Sequence, residues 1–213
     1  MIKILIYEYI TGGGLINEDL SSHLFNEAKA IITALNKDLE KSTEIQHKFF
    51  LDNRLKKDID IPSLIISKKN KKDMYDKKIL RKFDYILPIL PENDLLLYKY
   101  VSFLENNKIN KIASNKEEIL KSSNKLILYK YLYKNKIKTI KTYEISKQKE
   151  ILKLKDVLIK DKFGVGCSYI KRYKDSKKIN FSQYNDNYVA QPFVNGEPYS
   201  ISVFFTQNDF YLL

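Results

Sequence analysis

Residues 157–170 read Val157-Leu158-Ile159-Lys160-Asp161-Lys162-Phe163-Gly164-Val165-Gly166-Cys167-Ser168-Tyr169-Ile170, an apolar run that ends in lysine and opens into a loop with two glycines. A strand that delivers an ammonium to the mouth of such a loop suits a polyphosphate. The loop amides can fold over the oxygens while Lys160 adds a point charge. The spacing is neither a Walker A motif nor a full Rossmann fingerprint, so its meaning depends on its surroundings. Downstream lies Tyr188-Val189-Ala190-Gln191-Pro192-Phe193-Val194-Asn195-Gly196-Glu197-Pro198-Tyr199-Ser200-Ile201-Ser202-Val203, a strand signature broken at Asn195-Gly196 and resumed at Ser200. The chain has only 6 glycines: Gly12, Gly13, Gly14, Gly164, Gly166 and Gly196. All fall in three candidate loops, which fits either close approach of backbone to a ligand or three ordinary tight turns.

Upstream, residues 2–10 alternate and are rich in β-branched and aromatic types, predicting a strand that ends at Thr11 and the glycine triplet. Leu20, Leu24, Ala28, Ile31, Leu35 and Leu39 follow in steps of three and four that put them on one helical face. Strands are expected at 46–51, 63–67 and 84–90, with a helix near 73–82. A further helix over 91–106 would be capped by Asn93 or Asp94, and a last strand would run over 109–113. Alternation of this kind predicts an α/β layer on a parallel sheet. Ser114 and Glu117 fit a capping box opening a helix that runs to Asn135. Short strands at 139–145, 156–160, 169–173, 188–194, 200–206 and 210–213 then predict an antiparallel α+β region. The expected organisation is an N-terminal parallel-sheet domain over 1–113, followed by 114–187 and 188–213 as two parts of a second domain.

At 213 residues and 44% hydrophobic content the chain can bury a core, and no apolar run is long enough to cross a bilayer, so a cytoplasmic location is expected. The single Cys167 excludes an internal disulfide and a cysteine cluster. It is either a small loop residue or a thiol activated by nearby lysines. His23 and His47 show no ligand spacing. The net charge of +12 invites a nucleic-acid partner, but the cations are almost all lysine, scattered along the chain. Arg54, Arg81 and Arg172 are the only arginines, too few for the planar forks that base and phosphate readout favour. The sixteen tyrosines could stack on bases, yet on a helix such rings more often pack with the phenol at the rim.

The order of lysine-ended strand, glycine loop, Gln191 to Gly196 and a further strand resembles the ATP-grasp superfamily. Ser122-Ser123-Asn124-Lys125 is similar to the Asp-Lys pair that opens a helix in that family, with Asn124 in place of the aspartate. Residues 135–139 are similar to the turn that follows, with Lys136 where glycine is common. The run from Ile4 to Leu15, with Leu51-Asp52-Asn53-Arg54 and Leu90-Pro91-Glu92-Asn93, resembles ATP-grasp ligases of the tyramine-glutamate ligase family.

That resemblance implies a carboxylate-amine ligase that uses ATP and magnesium and acts on a small-molecule carboxylate and an amine. Lys125 and Lys160 would contact the α- and β-phosphates, and Gly164, Val165, Gly166, Cys167 and Ser168 would close over them. Gln191, Pro192, Phe193 and Val194 would hold adenine, through the Pro192 carbonyl and the Val194 amide, with Glu197 nearest to the ribose. Glu8, Thr11, Gly12, Gly13, Gly14 and Glu92 would face the substrate side. Glu8 could instead be an edge-strand carboxylate and Glu92 a helix cap. The family's magnesium ligands, an acidic residue and a Glu-x-Asn pair, lie on strands beyond the hinge. The resemblance thus implies no metal ligand within residues 1–213, an incomplete or partner-completed site, and weak ATP binding without turnover. A non-catalytic ATP-binding module and a basic nucleic-acid binder remain as alternatives. Saturable ATP binding without acyl phosphate would mark the first, and salt-dependent nucleic-acid binding indifferent to Lys160 and Gly164 the second.

Overall fold

The computed structural model describes every residue except Ser21, 165–168, 207, 208 and Leu213, and leaves the side chains of Ser22 and Phe204 undescribed. Its first half is a four-stranded sheet of order β3-β2-β1-β4, with β1 Ile2–Glu8, β2 Ile45–Asp52, β3 Ser63–Ile66 and β4 Tyr85–Ile89 all parallel. β1 is buried from Ile4 to Glu8 without alternation, because both faces of the sheet are covered. One face carries Leu5, Tyr7, Phe50 and Ile66 against Met74, Leu80, Tyr100 and Leu104. The other carries Ile4, Ile6, Phe49 and Leu51 against Ile32 of α1, Ser22–Leu39.

Helix α1 turns Phe25, Ala28, Ile32, Leu35 and Leu39 inward, at strict steps of three and four, and exposes Leu24 and Ile31. The sequence admits two overlapping stripes, and the one that carries Phe25 and Ile32 is buried. Ile32 is fully enclosed, so truncating it to alanine should cost about 3 kcal/mol.

Several expected elements differ. The 73–82 helix is split into a 3₁₀ turn, Lys71–Tyr75, and α2, Lys77–Leu80, because the Asp76 side chain accepts from the Lys78 amide and starts a new helix. α3, Leu96–Asn106, is not capped by Asn93 or Asp94. It follows two left-handed residues, Asp94 (φ 52°) and Leu95 (φ 58°). The strand expected at 109–113 is reduced to one bridge between Ile86 and Lys111. Ser114 forms no capping box: α4, Lys116–Ser123, has its first amide satisfied by Glu105 Oε1 at 3.2 Å. The long helix to Asn135 breaks at Asn124, whose Oδ1 accepts from the amides of Leu126 and Ile127 and opens α5, Lys125–Lys134.

The second sheet is antiparallel, with order β5-β8-β6-β7. It comprises β5 Tyr143–Glu144, β6 Val157–Asp161, β7 Ile170–Tyr173 and β8 Tyr188–Pro192, with α6 Gln148–Ile151 between β5 and β6. Val157, Ile159 and Ala190 pack with Ile145, Ile151, Ile179 and Tyr184 into a separate core. β9 Val203–Phe205 and β10 Phe210–Leu212 form a two-stranded hairpin outside both sheets.

Candidate functional site

In an open parallel sheet the strand order reverses at one place, and the crevice beyond the C-terminal strand ends there is where ligands bind. Here that place lies between β1 and β4. The loop after β1 contains Glu8, Thr11 and the glycine triplet, and the loop after β4 contains Glu92 to Leu95, so all the expected substrate-side residues border this crevice. The β1 loop is tightly fixed. Glu8 Oε2 accepts from the Thr11 amide at 2.7 Å and the Thr11 hydroxyl at 2.6 Å, and Oε1 accepts from the Ile10 amide at 3.1 Å. Glu8 is therefore not an edge-strand carboxylate: β1 is interior, and the buried carboxylate organises its own turn. The Gly12 amide donates to the Glu8 carbonyl at 2.8 Å, and a Cβ at Gly12 would collide with that oxygen. Gly13 sits at φ +90°, a conformation that only glycine adopts cheaply.

Sequence inspection missed the residue that clamps this loop. Arg54 donates to both oxygens of the fully buried Asp52, to the Glu18 carbonyl at 2.7 Å and to the Leu15 carbonyl at 2.8 Å. One guanidinium thus ties the end of β2 to both ends of the segment 15–18. Glu92 precedes a short 3₁₀ turn and makes no capping hydrogen bond.

In the second half, α5 begins where β6 ends. The Lys125 amide donates to the Lys162 carbonyl at 3.0 Å, and Lys125 Nζ donates to the Gly164 carbonyl at 2.6 Å. Strand alternation puts Val157 and Ile159 in the core, and therefore Leu158 and Lys160 on the opposite face of the sheet, where their neighbours on β8 are Gln191 and Val189. Gln191 Nε2 donates to the Thr142 hydroxyl at 2.7 Å on the way into β5. Val165, Gly166, Cys167 and Ser168 lie outside the described residues. A cleft of 540 Å³ runs between the halves, lined by Asp94, Leu95 and Lys99 on one side and by Asp161, Phe163 and Gly164 on the other. It joins the β4 crevice to the start of the glycine loop.

The hinge leaves β8 at the other end of β6. Val157 pairs with Pro192, and the Phe193 amide donates to the Asp156 carbonyl at 2.9 Å. Three steps along β6 lead from Val157 to Lys160, about 10 Å of strand. Arg172 stacks on the Phe193 ring, 3.4 Å from its centroid, while its Nε and Nη2 grip both oxygens of Asp156. This residue was also missed, and it holds the Asp156 carboxyl below its ordinary pKa through that hydrogen bonding. Past Phe193 the chain is open: Val194 is 61% exposed, and Glu197 accepts from the Tyr199 hydroxyl at 2.8 Å. Among the described residues no three His, Cys, Asp or Glu side chains converge to hold a metal, and no helix is long and apolar enough to cross a membrane.

A helix-opening lysine hydrogen-bonded to Gly164, a lysine on the neighbouring strand and a segment leaving the same sheet, beside a parallel-sheet layer, are the arrangement that the ATP-grasp resemblance implies. Residues 122–213 match the ATP-grasp domain family. The chain is similar to tyramine-L-glutamate ligase of Methanocaldococcus jannaschii, 26% identical over 208 residues, covering 94% of this chain and 58% of the relative. The corresponding ligase of Methanocaldococcus fervens is 28% identical over 208 residues, covering 94% of this chain and 61% of that one. The chain therefore spans about three fifths of the length of these relatives. Its fold matches D-alanyl-alanine synthetase A of Vibrio cholerae with a TM-score of 0.67 at 14% identity, over 99% of this chain and 66% of that one.

Proposed function

We propose that this chain binds ATP across the face of the second sheet that carries Leu158, Lys160, Val189 and Gln191, as part of a carboxylate-amine ligase. The observation that carries the proposal is the hydrogen bond from Lys125 Nζ to the Gly164 carbonyl. It brings the ammonium at the start of α5 to the glycine loop that follows Lys160, so two cations serve one phosphate chain. The hinge, about 10 Å along β6, is suitably spaced for the base. There the Pro192 carbonyl would accept from the exocyclic amine and the Val194 amide would donate to the ring. Gln191 and Phe193 would shape the slot, and Glu197 is the carboxylate nearest to the ribose. Residues 165–168 would cover the phosphates.

The division into a substrate-side domain over 1–113 and a nucleotide-binding portion from 114 onward is supported by the separation of the second sheet's core from the two clusters on the faces of the first sheet. The wall of the substrate cleft would come from the backbone of Thr11 to Gly14 and from the β4 loop around Glu92, since the Glu8 carboxylate is engaged in its turn. In the ligase reaction a carboxylate oxygen attacks the γ-phosphorus and ADP leaves. An amine then displaces phosphate from the acyl phosphate. Lysines assist by positioning and charge neutralisation. ATP with magnesium is the expected form of the nucleotide. The described residues do not form a cage for the ion, so no step is assigned to it. Because similar ligases join tyramine to L-glutamate, small amines and amino-acid carboxylates are the substrates to try first, in the cytoplasm.

The base-binding part is tested by Val194→Pro, which deletes the amide donor at an exposed position. ATP affinity should fall about tenfold with the far-UV circular dichroism unchanged. Equal affinity in the two proteins would remove the hinge from the site. The ligase part is tested by ADP release on addition of glutamate and tyramine to the chain with magnesium and ATP. Release that ignores both substrates would count against a ligase.

A further inference from the structure

A second cavity, of 440 Å³, lies against the first sheet and is lined by Lys3, Gln46 and Lys48 from the N-terminal halves of β1 and β2 and by Leu64 to Ile66 of β3. Lys48 explains why it is open. It stands on an interior strand, in register with Leu5, on the face that Leu5, Tyr7, Phe50 and Ile66 turn toward the first core. An interior strand covered by helical layers normally carries an apolar residue at such a position. Here Lys48, Lys3 and Lys82 line the cavity together with Phe50, Leu64 and Phe83.

None of these three lysines pairs with a carboxylate of a described residue. The one carboxylate in the lining, Asp73, has Oδ2 engaged by Asn70 Nδ2 at 3.0 Å. Asp84, next along the chain from the lining residue Phe83, accepts from the Lys3 main-chain amide at 2.7 Å. Three ammoniums against one carboxylate, around an apolar floor in a volume typical of small-ligand pockets, form a receptor with a cationic rim.

We propose that this cavity binds a small organic anion with an apolar body, its head held by Lys3, Lys48 and Lys82 and its body by Phe50, Leu64 and Phe83. The proposal is independent of the nucleotide site. It is tested by titrating anilinonaphthalene sulfonate into the full chain, read by fluorescence and by methyl NMR. Saturable one-to-one binding is expected, with shifts at Leu64, Ile65 and Ile79, displacement by phenylbutyrate and not by phenylbutyramide, and about tenfold weaker binding in Lys48→Met and Lys82→Glu. Lys82 is exposed, so its variant keeps the test valid if Lys48→Met fails to fold. Any of four results overturns the proposal: no saturable binding, shifts confined to β9 and β10, unchanged affinity in Lys82→Glu, or equal displacement by the uncharged amide.

Discussion

The glycine loop after β1 and the segment after β8 both border proposed ligand sites, yet they are built in opposite ways. The first is held by three hydrogen bonds to Glu8 and by an arginine that reaches three separate groups. The second is anchored at Phe193 and then runs exposed from Val194 to Ser202. A loop that must present its backbone in one shape is over-determined by buried polar contacts. A segment that must admit a flat base needs only a fixed starting point. Substitutions should therefore cost stability in the first region and cost binding, with little stability, in the second.

The contrast is broken most sharply at Arg54. Arg54→Met would leave the buried Asp52 carboxylate without its cation and release the loop at Leu15 and Glu18. Urea unfolding should show a loss of about 3 kcal/mol, near the lower end for a broken buried pair because the arginine itself is 35% exposed. A loss indistinguishable from zero would mean that the loop is held by Glu8 alone. At the start of α5, Asn124→Ala removes the side-chain acceptor for two amides and should cost about 1 kcal/mol. It should also weaken ATP binding, because Lys125 is the next residue. In the open segment, Val194→Pro should change stability by less than about 0.5 kcal/mol. A larger effect would show that this segment is fixed by contacts beyond those described.

The smallest effect concerns pH. Arg172 depresses the Asp156 pKa, so the pair's contribution is fully present above the ordinary aspartate value of about 3.9 and is lost as pH falls through the lower folded value. Asp156→Asn should flatten the stability profile in that acid window and lower it slightly and evenly at all higher pH, where the pair's contribution is missing. A slope equal to that of the unsubstituted chain would show that the pair does not anchor the hinge.

Much of the fold was legible. The succession of strand and helix signals pointed to a parallel-sheet layer and the turn residues marked strand ends, but the alternation expected in β1 is absent because both faces of its sheet are covered. The break at Asn124 was invisible to periodicity, because apolar residues continue across it, and only the resemblance of Asn124-Lys125 to a helix-opening pair pointed there. The α1 stripe was misassigned because Ile31 and Ile32 are adjacent and only packing chooses between them. The arginines count as too few to grip nucleic acid, and Arg54 otherwise enters only as the end of a segment that resembles the ligase family. Their scarcity was the better signal: in a chain that uses lysine almost everywhere, Arg54 and Arg172 each make bidentate contact with a carboxylate, a geometry that lysine cannot reproduce. Side-chain contacts across 36 or 39 residues, such as those of Arg54, leave no local trace in sequence.

The most direct measurement is calorimetric titration of ATP with magnesium into the unsubstituted chain, Lys125→Met and Lys160→Met. A single saturable site is expected, weakened at least about tenfold by either substitution. A flat titration for the unsubstituted chain, or three superimposable isotherms, would contradict it.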